Sequence, residues 1–455
     1  MKRIIEIFLF SAAGLFTACS GSDYLNSIPR ESTALIAVDV PKLAEFTTTD
    51  GEKSKTFLQS LLGIKDVTDC GIDLTSKMYL FVSPDGNLGL CAKVSDKTDL
   101  EDLFKAQQKC GNCTPITEKK GFRFTVLKDA WIAGFSKNAL LVMGPVVAEA
   151  KAELQRQMVK YLDAEEENGI KASPLYDRLE AMQSSVAMVA QAQALPEKFV
   201  APFTLGAPKD ADASQICLAA EMRVQKDCLQ ITGEAFSLNS SIDKALKGAA
   251  QSYRPIQGQY IKCMSEDAVM GLFMNADGHR LLDLLRSNKS LQLMLAGINA
   301  AVDMDKIIRS IDGDVAFIIP TYGENELQMM MGAQLAKRDF LSDVTYWKKS
   351  VPTGSRITDE GKDAYRFTDG TTNFYFGVSA DNQFYAGSSA EQANAVLHPS
   401  CRPMPSTLLN EMKGQKMCMI LNLDALRKSN ETVKTALSLL TPLFGDVHAV
   451  VYRLK

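Results

Sequence analysis

Cys110-Gly111-Asn112-Cys113 is the stretch of this 455-residue chain whose residue types and spacing come nearest to a reactive centre. Two thiols three residues apart can close a local disulfide, remain free, exchange electrons as an oxidoreductase pair, or supply half of a zinc site. A redox pair needs its first cysteine at a helix N-terminus, where backbone amides stabilise the thiolate. Here the pair follows a helical stretch and precedes Thr114-Pro115. A zinc site would need two more ligands from distant residues, because the chain has no second CxxC and no HxxxH.

Other chemistries find less support. The three histidines, His279, His398 and His448, are isolated in sequence. Gly377-Val378-Ser379-Ala380-Asp381 lacks the second glycine of a nucleophile elbow, and Ser136 and Ser379 each open a tight turn in which a hydroxyl bonds local backbone. Asn275-Ala276-Asp277-Gly278 has Phe273 and Leu284 where a calcium loop needs carboxylates, so it reads as a helix cap. Asp303, Asp305, Asp312 and Asp314 cluster, with 311–315 reading as a turn before a strand. Met329, Met330 and Met331 alternate faces if extended, so core packing outweighs copper binding. Phosphate-cradling signatures are absent. No catalytic residue, metal or cofactor is therefore expected. Phe374, Tyr375, Phe376 and Tyr385 would serve as a sugar-stacking row only if they face solvent.

The N-terminus carries an address. Lys2 and Arg3 precede an apolar run from Ile4 to Phe16, too short for the roughly 20 residues of a spanning helix, so residues 1–18 read as an export signal. Phe16-Thr17-Ala18-Cys19 resembles a bacterial lipobox, with Phe16 in place of the usual leucine. The resemblance implies acylation of Cys19 and attachment to a membrane through lipid, with residues 19–27 as a polar tether. The expected location is the cell envelope, on the outer membrane, with either leaflet open.

The bulk composition limits what the body can be. Fifty basic against 54 acidic residues leave a net charge of −4, which removes the electrostatic case for nucleic acid. With 46% hydrophobic residues the chain can fill ordinary cores, and its length calls for more than one. The cysteines after Cys19 are odd in number, irregular in spacing and set mostly among apolar neighbours, which fits small core residues better than a disulfide framework.

The chain also repeats itself. Phe122-Arg123-Phe124 recurs 243 residues later as Tyr365-Arg366-Phe367, and at that offset Trp131 meets Phe374, Gly134 meets Gly377, and Gly144 meets Gly387. Met78–Val82 matches Val315–Ile319 at offset 237, and Ser173 with Leu175 matches Ser406 with Leu408 at offset 233. Two repeats are expected, over 28–250 and 251–455. The second lacks a counterpart of the strand Cys228 to Phe236, an edge that the first copy is expected to cover.

Alternating apolar runs predict strands at about 34–40, 78–83, 87–94, 122–127, 130–135, 139–144, 185–191, 215–224 and 228–236, mostly joined as hairpins. Spacings of three and four predict helices after Phe57 and Asp99, from Ala150 to Leu162, over 242–247, and around Leu281 to Leu285. The class is α+β: two tandem related lobes of largely antiparallel sheet with packed helices. This order, with the lipobox and Tyr24-Leu25-Asn26-Ser27-Ile28-Pro29 leading into Ala34–Asp39, resembles the uncharacterised envelope lipoproteins of the Bacteroidota, a family of about this length known as a domain of unknown function. The resemblance implies a tethered envelope protein and supplies neither reaction nor ligand. The expected function is non-enzymatic binding or scaffolding of an envelope protein or glycan partner, with a thiol oxidoreductase using Cys110 and Cys113, or a glycan-binding lipoprotein, as alternatives.

Overall fold

The structure is a computed structural model that describes residues 21–42, 70–128, 130–194, 206–208, 211–225, 227–287, 302–321, 328–429 and 447–455. The export signal expected over 1–18, Cys19 and the helix expected after Phe57 lie outside the described residues. The chain is an α+β protein, 32% helical and 36% strand, and its contacts divide it into two compact units, Met1–Val189 and Ala190–Lys455.

The first unit contains β1 (Ala34–Val38), β2 (Met78–Val82), β3 (Leu88–Lys93), α1 (Lys97–Lys109), β4 (Thr117–Lys119), β5 (Phe122–Leu127), β6 (Trp131–Phe135), β7 (Ala139–Gly144), α2 (Lys151–Leu162) and α3 (Pro174–Glu180), and ends within β8 (Val186–Gln191). Its strands run in the order β4-β5-β6-β7-β3-β2-β1-β8, antiparallel at each pairing from β4 to β1. The turn Ser83-Pro-Asp-Gly-Asn87 closes β2 onto β3 through Ser83 N–H to Asn87 O at 2.9 Å, with Gly86 at φ 81°, a conformation that favours glycine. Asp96 caps α1 by accepting from the Thr98 and Asp99 amides at 2.6 and 3.2 Å. Leu100 and Phe104, one turn apart, then bury against Ala133, Phe135 and Leu140, with the Phe104 and Phe135 rings stacked at 5.5 Å. The long helix expected from Ala150 is α2, which buries Leu154, Met158 and Leu162.

The second unit contains β9 (Cys217–Gln225), β10 (Cys228–Phe236), α4 (Ser240–Ala250), β11 (Tyr253–Arg254), β12 (Met270–Asp277), α5 (Gly278–Ser287), α6 (Met304–Arg309), β13 (Ile311–Ile319), β14 (Met330–Leu335), α7 (Val344–Ser350), β15 (Arg356–Gly361), β16 (Ala364–Thr368), β17 (Asn373–Val378), β18 (Gln383–Gly387), α8 (Ala390–Ala395), α9 (Ser406–Met412), β19 (Met417–Asn422), α10 (Leu423–Ser429) and β20 (Ala449–Leu454). Its order, β15-β16-β17-β18-β14-β13-β12-β19-β20-β10-β9, opens with the same eight-strand sequence as the first unit. β20 then pairs in parallel with β10, which pairs antiparallel with β9. The strand Cys228–Phe236 therefore covers the edge that the second repeat leaves open. That pairing joins β9 and β10 to the second unit, so the contact boundary falls at 189/190 and not at the 250/251 expected for the repeats.

The structure corrects three expectations. Residues 19–27 are not all tether: Asp23–Ser27 form a 3-10 helix with Tyr24, Leu25 and Ser27 buried, and Ile28 is fully buried after it, because these apolar side chains have a core to enter. Residues 311–315 are not a turn but the start of β13, whose pairing with β14 slips between Ile311 and Val315. The match of Phe122-Arg123-Phe124 to Tyr365-Arg366-Phe367 holds in strand but not in register. Phe124 pairs with Gly134, whereas Gly377 pairs with Ala364, three residues before Phe367. An odd shift exchanges faces. The Phe124 ring lies over Gly134 near Leu162 of α2, while Tyr365 packs on Phe376 beneath Lys348 of α7, the helix whose place between strands corresponds to α1.

Candidate functional site

Cys110 caps the C-terminal end of α1, its N–H donating to Ala106 O at 3.2 Å. That is the end where the helix dipole disfavours a thiolate. Asn112 and Gly111 close the helix with bonds to Gln107 O and Gln108 O, and Cys113 donates its thiol to Phe104 O at 3.3 Å. Cys110 is exposed, Cys113 half-buried, and both are free thiols. The geometry is that of a helix stop, not of an activated pair.

The cysteines at positions 70, 91, 217, 228, 263 and 418 are buried, and burial raises those thiols that it shifts: Cys217 and Cys263 to about 11 and Cys418 to about 12. Among the described residues, no group of three His, Cys, Asp or Glu side chains is arranged to hold a metal.

The serines act in their turns. Ser136 Oγ accepts from the Asn138 and Ala139 amides, each at 3.1 Å, and Ser379 Oγ accepts from Gln383 N–H at 3.0 Å while donating to Asp381. Asp277 accepts from Arg280 N–H at 3.0 Å and so caps α5, which holds its carboxyl below the usual range. His279 and His398 are exposed. His448 Nδ1 meets Asp424 at 2.8 Å, and Asp424 also receives Arg427 at 2.9 Å. No hydroxyl or thiol among the described residues is bonded to that histidine.

Two of the aromatic row are core and the other two pack against it. Phe376 is buried, Phe374 stacks on it at 5.6 Å, Tyr385 is buried, and Arg366 covers Tyr375 at 5.3 Å. Met330 is likewise buried, while Met331, its neighbour along β14, is half-buried.

Two polar constellations escape the sequence reading. In the second unit the buried Asp314 accepts from the Gln257, Gly258 and Gln259 amides at 2.9, 2.6 and 2.8 Å and from Asn275 Nδ2 at 2.8 Å. Asn275 in turn accepts from Arg254 Nε at 2.9 Å, and Arg254 pairs with Asp312 at 2.8 Å. Four donors occupy the Asp314 carboxylate, so it pins the 257–259 loop and has no oxygen left to receive a substrate proton. In the first unit Tyr79 donates to Glu180 at 3.0 Å, Lys77 pairs with Glu180 at 2.9 Å, and Tyr24 donates to Lys77 O at 2.9 Å. Burial first, then neighbouring phenols and Glu180, push the Tyr79 phenol far above its ordinary value, so it stays a neutral donor. The missed signal is a polar residue inside an apolar run: Asp314 before Val315-Ala316-Phe317, and Tyr79 between Met78 and Leu80.

Fold and site together define a two-unit α+β protein in which the buried Asp314 carboxylate and the Tyr79 phenol are held by the protein's own backbone and side chains. The chain belongs to the family described as domain of unknown function (DUF4836), whose model matches residues 36–444. No curated protein sequence matches it. Among solved structures, crystal form I of TP0453 is similar over 82% of this chain and 96% of that chain, at 10% identity and a TM-score of 0.22, too low to bear on fold or function.

Proposed function

We propose that this chain is a lipid-anchored protein of the cell envelope, held at the outer membrane through Cys19, whose two related units present a non-enzymatic binding or scaffold surface to a protein partner. The observation that carries this reading is that the two units share strand order but not polar chemistry: the Asp314–Asn275–Arg254 network and the Tyr79–Glu180–Lys77 network stand at different positions. What the duplication maintains is a framework. A protein partner is favoured over a glycan because Phe374, Tyr375, Phe376 and Tyr385 are packed rather than displayed. The thiol reading lacks support because Cys110 lies at the wrong end of α1.

The test is mild crosslinking of the acylated protein in its native envelope, followed by capture and mass spectrometry, with Cys19→Ala as control. The reading expects one recurrent protein partner that is lost in the control. Recovery of the protein alone, together with substrate turnover that a single polar substitution abolishes, would overturn it.

A further inference from the structure

The first unit begins almost at the anchor. Tyr24, Leu25 and Ile28 are buried at 5%, 2% and 0% exposure, so the folded body starts at Asp23. Four peptide links separate Asp23 from Cys19, a reach of at most about 14 Å when fully extended. Even that length is partly committed. Ser22 Oγ accepts from Lys171 Nζ at 3.3 Å, and a Cβ on Gly21 would meet Lys93 Nζ at 3.6 Å, so the chain is already laid on the body at Gly21. The headgroup layer of one leaflet is itself about 5–8 Å thick.

We propose that the surface around Ser22, formed by Lys93, Lys171, Glu166 and their neighbours, is the face of the first unit seated against the lipid headgroups. This rests on the proposed acylation of Cys19. The seat is imposed by tether length and not by charge attraction. Lys93 is paired with Asp73 at 2.9 Å and Lys171 with Glu166 at 3.3 Å, while Glu165 and Glu167 add negative charge beside the same open depression. Such a surface has no net affinity for anionic lipid. The body is held close by its covalent link, and without that link it leaves the membrane. β3 runs from Leu88 to Lys93, so the Asp85–Gly86 turn that opens it lies about 20 Å from Lys93 along the strand direction.

The experiment uses the full acylated chain in phosphatidylethanolamine/phosphatidylglycerol vesicles. A photo-reactive phenylalanine analogue replaces Glu166, whose side chain is 71% exposed, or Asp85, and mass spectrometry reads both lipid adducts and the acyl mass on Cys19. The expected result is an adduct yield at position 166 about tenfold above that at 85, because a reach of about 14 Å keeps only the former at the lipid. A 20-residue Gly/Ser spacer inserted after Ser20, with an r.m.s. length of about 25 Å, should bring the ratio towards one. Equal yields without the spacer, or none at 166, on protein carrying the acyl mass would overturn the seat and leave the anchor standing. Absence of the acyl mass would overturn both.

Discussion

Asn275 donates its side-chain amide to Asp314 at 2.8 Å across the β12–β13 ladder, and the positions that continue the matching β1–β2 ladder of the first unit hold Asp39 and Lys77. Lys77 turns instead to Glu180 at 2.9 Å, and Asp39 to Lys42 at 3.3 Å. The same pair of strands thus carries different polar chemistry in each unit.

Removing the Asp314 carboxylate leaves three backbone donors and Asn275 without their acceptor in a buried niche. Asp314→Ala should destabilise the second unit by about 3–5 kcal/mol, and Asp314→Asn, which keeps one acceptor oxygen, by less. Denaturant unfolding of the full chain measures this. An Asp314→Ala variant as stable as the parent would mean that the niche is not formed.

Phe124 covers Gly134 so closely that a Cβ there would lie 2.5 Å from the ring. Phe124→Ala should cost about 3–5 kcal/mol through the cavity left under α2, and Gly134→Ala should also destabilise because the ring and Leu162 must shift. At the second-unit position Phe367, which lies half-buried on the other face, the same truncation should cost less. Thermal unfolding of the three variants compares them directly.

Thiol reactivity should sort by burial. With Cys19 set aside, Cys110 and Cys401 should react with maleimide at once in the folded protein, Cys113 more slowly, and the buried six only on unfolding. Cys110→Ser should change stability by no more than about 0.5 kcal/mol, as for other exposed sites. Rapid, reversible oxidation of a partner dithiol that is lost in Cys110→Ser would revive the oxidoreductase reading.

Acid should weaken the fold through its turn carboxylates. The Arg280 amide lowers the Asp277 carboxyl, and the Ser379 hydroxyl followed by Gln383 lowers that of Asp381. A folded pKa below the unfolded value of about 3.9 means that the stabilisation is present above that pH and is lost as pH falls through the depressed value. Both groups are exposed, so the effect is small and screened by salt. Thermal midpoints from pH 5 down to pH 2 should fall less steeply in Asp277→Asn and Asp381→Asn than in the parent.

Strand positions were legible in sequence because short apolar runs bounded by turn residues, as at β1, β2 and β7, become mostly buried strands, and the Ser83–Asn87 turn has its glycine where positive φ demands it. Three things were not legible. Pairing register is set by turn length, and the longer turn between β16 and β17 slides Tyr365 and Phe367 to the face opposite Phe124. That the first copy covers the edge of β20 was expected, but which of its strands does so is set only by the hydrogen-bond ladder, which assigns β10. Polar residues such as Asp314 and Tyr79 sit beside apolar runs, but nothing local names their partners, since those at 257–259 and 180 come from elsewhere in the chain.

The claim that the protein works from a membrane is tested most directly by the intact mass and N-terminal peptide of the chain extracted from its native envelope. The account predicts a mature chain beginning at Cys19 and carrying acyl groups, recovered only with detergent. An unmodified Cys19, or a chain released into the aqueous fraction without detergent, would contradict it.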